Sequence, residues 1–134
     1  MVIFKFIKLI LENKPITIYG DGKSSRDYTY VTDVSDALIA STKLNGYEIF
    51  NVGGGNATTL DNLVKIIESL LEKKAIIQNI PRDLSDVEHS LADITKISKI
   101  LNWQPKYNIE QGVRETGKWF LDNLDFISSI NLKD

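Results

Sequence analysis

The chain has 134 residues, 43% of them hydrophobic and 25% charged, the balance of a globular domain large enough for a core of its own. Its 16 basic and 18 acidic residues leave a formal charge of −2, which argues against the basic surface that a nucleic-acid partner requires. There is no cysteine, hence no disulfide framework and no thiolate chemistry, and the longest apolar run, residues 2–11, is too short to span a bilayer. That run also carries no small-residue cleavage site, so the expectation is a cytoplasmic protein with no membrane partner.

Ile3, Phe6, Ile7 and Ile10 recur at helical spacing while Phe4, Leu9 and Leu11 fill much of the remaining circumference, which predicts a buried helix closed by Pro15. The helix begins at the first residue with no N-cap, a pattern expected of a piece with something upstream. Residues 16–19 read as a short strand and Gly20-Asp21-Gly22 as a turn at positive φ. Residues 28–31 make a second extended piece, after which Thr32 or Asp33 caps a helix with Val34, Ala37, Leu38 and Ser41 on one face and Gly46 beyond its end. Residues 48–52 read as a strand leading into Gly53-Gly54-Gly55. Thr59 then caps a helix striped with Leu60, Leu63, Val64, Ile67 and Leu71. Residues 75–80 form another strand and 81–86 a loop. Asp93 caps a short helix through Ile97, Ile100 and Leu101, stopped by a left-handed Asn102. Asn108 and Gln111 pair as a capping box for the last helix, with Ile109, Val113, Phe120 and Leu124 inward, and residues 131–134 fray. Strands alternating with helices give an α/β class, or α+β for the piece taken alone.

Few side chains suggest chemistry on their own terms. Arg26 offers planar, permanently charged donors suited to a phosphate, though a salt bridge to Asp27 or another acid is the plainer use. Gly53 to Gly55 can be a phosphate cradle or a turn that needs close backbone packing, and the second is favoured. His89 has no cysteine or second histidine at ligand spacing, so no metal is expected. Asp21, Asp33 and Asp93 sit as turn or cap residues, and Trp103 and Trp119 as core or packing residues. Tyr19 and Lys23 have Tyr-x-x-x-Lys spacing, but across a glycine turn where a catalytic pair would need a helix.

Taken together, residues 14–34 (KPITIYGDGKSSRDYTYVTDV), Phe50-Asn-Val-Gly-Gly-Gly with Thr59 and Leu60, Ser90-Leu-Ala-Asp-Ile-Thr-Lys with Leu101-Asn-Trp-Gln-Pro, and Trp119 resemble the extended short-chain dehydrogenases that act on nucleotide sugars. The order and spacing match the C-terminal, substrate-binding portion of such enzymes, nearest in pattern to UDP-glucose and UDP-glucuronate 4-epimerases. The resemblance implies a Rossmann-type α/β enzyme whose other half binds NAD through a glycine-rich loop. It implies that the N-terminal half lies outside these residues, that residues 1–134 form one substrate-binding portion, and that no cofactor is held by this portion alone. It places Thr17, Ile18 and Tyr19 on the uracil edge, Arg26 and Arg82 on the diphosphate, and Asp86 on the ribose hydroxyls. One departure stands out: Arg82 is four residues before Asp86 rather than three, and Ser85 replaces the usual glycine. The complete enzyme would move a hydride from the sugar's C4 to NAD and back onto the other face, and no residue here does so. A 4,6-dehydratase or decarboxylase sibling, or a non-enzymatic binding module or remnant, are the alternatives. Exposed apolar faces left by the absent half predict self-association.

Overall fold

A computed structural model describes residues 2–82 and 85–130, so the tail expected at residues 131–134 lies outside the described part, as do Met1, Asp83 and Leu84. Helix α1 (Val2–Leu11) buries Phe6, Ile7 and Ile10, while its other apolar side chains stay half-covered. The chain turns at Asn13, whose φ is 53°, and enters strand β1 (Pro15–Tyr19), whose Ile16 and Ile18 point into the core beneath α1. After the glycine turn come β2 (Ser25–Arg26), helix α2 (Val31–Ser41), β3 (Thr58–Thr59), helix α3 (Leu60–Leu71) and β4 (Ile76–Ile80). Helices α4 (Thr95–Leu101), α5 (Ile109–Asp122) and α6 (Leu124–Ser129) complete the described chain.

β1 and β4 run parallel with Pro15 opposite Ile76 and Tyr19 opposite Ile80, joined by the crossover through α3 that a parallel pair requires. β2 and β3 form a second, antiparallel pair, Ser25 with Thr59 and Arg26 with Thr58. The main core fills the space between α1, β1, α3, α5 and α6 with Leu63, Val64, Ile67, Val113, Phe120 and Ile127 among its buried members. A smaller cluster of Ala37, Ile97 and Trp103 holds α2 to α4. Burial of each such side chain contributes roughly 1.5–3 kcal/mol. Lys8 ties the two ends of the chain together: its ammonium donates to the carbonyls of Ile127 and Ile130 at the end of α6.

The capping residues act largely as their types predict. Thr59 Oγ1 accepts from Asn62 N, Asn108 and Gln111 make a complete capping box, and Asn102 ends α4 at a φ of 51°. Glu68 closes the α3–β4 connection, accepting from Ala75 N and Lys74 Nζ, both at 2.8 Å. The Lys74 ammonium first, then the Ala75 N–H, hold its carboxyl below the ordinary glutamate value of 4.5. A carboxyl with a lower pKa folded than unfolded adds stability above its unfolded value and loses it as pH falls through the folded one. Wild-type protein should therefore lose melting temperature on acidification below about pH 4.5 more steeply than Glu68→Gln, and parallel melting curves would refute that role.

Four expectations are corrected. The extended stretch at residues 28–31 makes no ladder; pairing occurs at Ser25–Arg26, and Tyr30 instead packs against Gly112 on α5 and the Tyr107 ring, 4.6 Å away. Helix α2 starts at Val31 without a side-chain cap, because Asp33 is 1% exposed and its carboxylate is committed elsewhere: it accepts from Lys106 N at 3.0 Å and Tyr107 N at 3.1 Å. Residues 48–52 are not a strand, since strand-forming side chains need a partner strand and none stands beside them among the described residues. The last helix breaks at Asn123, so Leu124 opens α6 half-exposed and Ile127 takes the inward place. Trp119 takes the packing role expected of it, 46% exposed and lying against Phe4 and Phe126 at the surface.

Candidate functional site

The C-terminal ends of a parallel pair are where an α/β sheet offers its crevice, and here that end is occupied by the glycine turn and the start of the 81–90 segment. Gly20 and Gly22 both have φ near +78° (78° and 77°), and a side chain on Gly22 would collide with the Asp61 carboxylate at the start of α3. The turn is thereby pressed onto α3, with Asp61 N donating to Gly22 O and Leu60 N to Ser24 O, both at 3.0 Å. Immediately after it, Ser25 becomes the meeting point of three segments. It pairs with Thr59 on one side and with His89 on the other, where Ser25 N donates to Glu88 O at 2.9 Å and Ser90 N to Ser25 O at 3.1 Å. The hydroxyl of Ser25 and Nδ1 of His89 are hydrogen-bonded at 3.0 Å.

Asp27 completes the junction. Its carboxylate accepts from the backbone of Gly54 (2.8 Å), Gly55 (3.3 Å) and Ala92 (3.2 Å). A side chain on Gly53 would collide with that carboxylate and with Ala92, and one on Gly54 would approach Tyr28 O to 2.8 Å. The glycine run is thus an anion cradle whose anion is this protein's own Asp27, and close packing explains it. The salt bridge that Arg26 could make with Asp27 is not formed.

Arg26 turns instead to the 85–90 segment. Its Nη2 donates to Asp86 Oδ1 at 2.9 Å, and its Nη1 donates to Ser25 O at 2.9 Å and Glu88 O at 3.2 Å. Burial raises the Tyr28 phenol above its ordinary value, while the nearby Arg26 charge opposes the rise. Arg82 lies over Gly20, just past the end of β4, and its Nη1 is 3.2 Å from Glu88 Oε2. On β1, Tyr19 is 53% exposed and Thr17 half-covered, whereas the Ile18 side chain is in the core, so Ile18 can offer a ligand its backbone alone. Among the described residues β1 pairs with β4 alone, leaving one edge of its backbone unladdered.

The structure therefore joins Arg26 and Asp86 directly, brings Arg82 to the same segment through Glu88, and sets Thr17, Ile18 and Tyr19 on the strand leading to that end. Sequence reasoning missed Glu88, whose carbonyl and carboxylate touch both arginines, and the junction role of Asp27. Asp27 had a signal in hand, an acid next to the arginine and a run of glycines with free N–H groups. Glu88 had none, since it lies in a loop without periodicity.

Comparison with known proteins finds relatives in both sequence and structure. The sequence profile described as GDP-mannose 4,6 dehydratase matches residues 1–116. The chain is 44% identical over 133 residues to a UDP-glucuronate 4-epimerase of Thermodesulfobacterium geofontis, covering 98% of this chain and 41% of that protein. It superposes with a TM-score of 0.87 and 32% identity on the UDP-glucose 4-epimerase of Thermotoga maritima solved with UDP-glucose, over 92% of this chain and 40% of that one. A UDP-glucuronic acid 4-epimerase from Bacillus cereus, solved with UDP-glucuronic acid and NAD, gives a TM-score of 0.85 at 26% identity, over 91% of this chain and 40% of that one. The chain thus spans about two-fifths of the length of the proteins it matches.

Proposed function

The chain belongs to the GDP-mannose 4,6-dehydratase family, the NAD-dependent nucleotide-sugar epimerases and dehydratases of the extended short-chain dehydrogenase type, and from that premise we propose that its residues form the nucleotide-holding part of a UDP-sugar 4-epimerase. In this reading residues 1–134 are one C-terminal substrate-binding portion. The exposed Tyr19 ring and the free backbone edge of Thr17, Ile18 and Tyr19 receive the uracil. Arg26 and Arg82 hold the diphosphate, and Asp86 accepts from the ribose hydroxyls. The observation that carries the reading is the convergence of Arg26 and Asp86, 2.9 Å apart, beside the end of β4 where Arg82 follows. Binding energy collected here, far from the reacting carbon, would hold the sugar in place for chemistry carried elsewhere.

NAD would supply the hydride exchange at the sugar, bound outside these residues. The glycine run at residues 53–55 does not fit a dinucleotide site, because the N–H groups of Gly54 and Gly55 are taken by Asp27. Calorimetric titration of the chain with UDP tests the reading: weak but saturable heat is the expected result, and no saturable heat at millimolar UDP overturns it.

A second surface bears on partners. Leu38 of α2 and Tyr47, both exposed, border a groove of 370 Å³ that Val34, Leu44, Phe50 and Val52 also line, and Val31, Ile39 and Ile49 are exposed as well. The segment 48–52, which pairs with no strand among the described residues, is held by Lys96 at Ile49 O and by Asp93 O at Asn51 and adds its backbone to that face. In a complete protein this face would pack on the NAD-binding half. Alone, the chain is expected to self-associate through it. Light scattering should give a mass above 15.1 kDa that rises with concentration, and a monomer throughout would refute this.

A further inference from the structure

If the site takes a diphosphate, as proposed above, both of its arginines already hold anions. Arg26 carries Asp86 at 2.9 Å and Arg82 carries Glu88 at 3.2 Å, two acids that stand two residues apart on one segment. The exposures are unequal. The arginine side chains are 31% and 27% exposed, the carboxylates 52% and 57%. Arg26 is further pinned by the carbonyls of Ser25 and Glu88. The guanidinium groups are therefore the fixed members of each pair, and the acids are the members free to swing into solvent.

We propose that Asp86 and Glu88 are built-in counter-anions of this site, that a diphosphate enters it by displacing them, and that Asp86 thereby selects a diphosphate carrying a diol over a bare one. An ionised carboxylate can only accept hydrogen bonds. Displaced by inorganic pyrophosphate, Asp86 is left facing phosphate oxygens with no donor to receive. Displaced by a nucleoside diphosphate, it finds ribose hydroxyls next to the phosphates and accepts from them. One carboxylate thus opposes the first ligand and rewards the second, which is how a repulsive element creates specificity.

The test titrates the 134-residue chain with inorganic pyrophosphate and with UDP, in wild type, Asp86→Asn and Asp36→Asn. Asp36, on α2, pairs with Lys106 and controls for the loss of one negative charge. Asp86→Asn should bind pyrophosphate about three- to fivefold more tightly, the scale of an exposed ion pair, and UDP more weakly by a similar factor. Asp36→Asn should leave both within about twofold. No gain for pyrophosphate, an equal gain from Asp36→Asn, or a gain for UDP as well would overturn the proposal. A pyrophosphate gain in a chain that never binds UDP would keep the counter-anion and discard the nucleotide reading. Wild-type UDP binding with no pyrophosphate gain would do the reverse.

Discussion

Asp27→Ala should lower the stability of the chain by about 3–5 kcal/mol, the largest loss expected from any single substitution of a partly exposed residue here. Three backbone N–H groups, those of Gly54, Gly55 and Ala92, point at one carboxylate. Hydrogen bonds to a charged acceptor contribute about 1.5–3 kcal/mol each, and N–H groups left without a partner in a covered position cost a further desolvation penalty. Alanine also opens a gap against Gly53 and Ala92, which the glycine cannot fill. A melting temperature lower by roughly 10–18 °C follows for a domain of this size. Asp27→Asn keeps an acceptor oxygen but introduces donors against N–H groups, so it should recover less than half. A melting temperature for Asp27→Ala within about 2 °C of wild type would show that the junction carries no weight.

That prediction also marks how far the sequence could be read. Elements whose signal is local were legible: α3 from its stripe and Thr59, α5 from Asn108 and Gln111, Asn102 from its left-handed tolerance, and β1 and β4 from their β-branched runs, each of which does find its partner strand in the other. Features set only by a distant partner were not. Residues 48–52 have the composition of a strand, yet a strand is a relation between two segments, and the second is not among the described residues. Asp33 looks like a cap from its neighbours, but Lys106 N and Tyr107 N, more than seventy positions away in sequence, claim its carboxylate. The candidate site divides the same way. Arg26 and Asp86 carried recognisable motifs, whereas the pairing of each arginine with an acid is set by the bridge between Ser25 and His89, which no local pattern announces.

Arg26→Ala should weaken UDP binding about ten- to hundredfold, to the edge of detection for a site of weak affinity. The estimate takes one or two charge-assisted hydrogen bonds to phosphate oxygen, at about 1.5–3 kcal/mol each, less the modest gain from no longer having to displace Asp86. Arg26→Lys keeps a charge but loses the planar fork, and should fall between the two. Because Arg26 also braces Ser25 O and Glu88 O, a loss of affinity could arise from a loosened 85–90 segment instead of a lost phosphate contact. Uridine separates these. It shares the base and ribose but offers no phosphate, so a phosphate-gripping Arg26 leaves uridine affinity unchanged within about twofold while UDP affinity collapses. Equal losses for uridine and UDP would make Arg26 a brace for Asp86 and remove the diphosphate from it. Unchanged UDP binding would remove Arg26 from the site altogether.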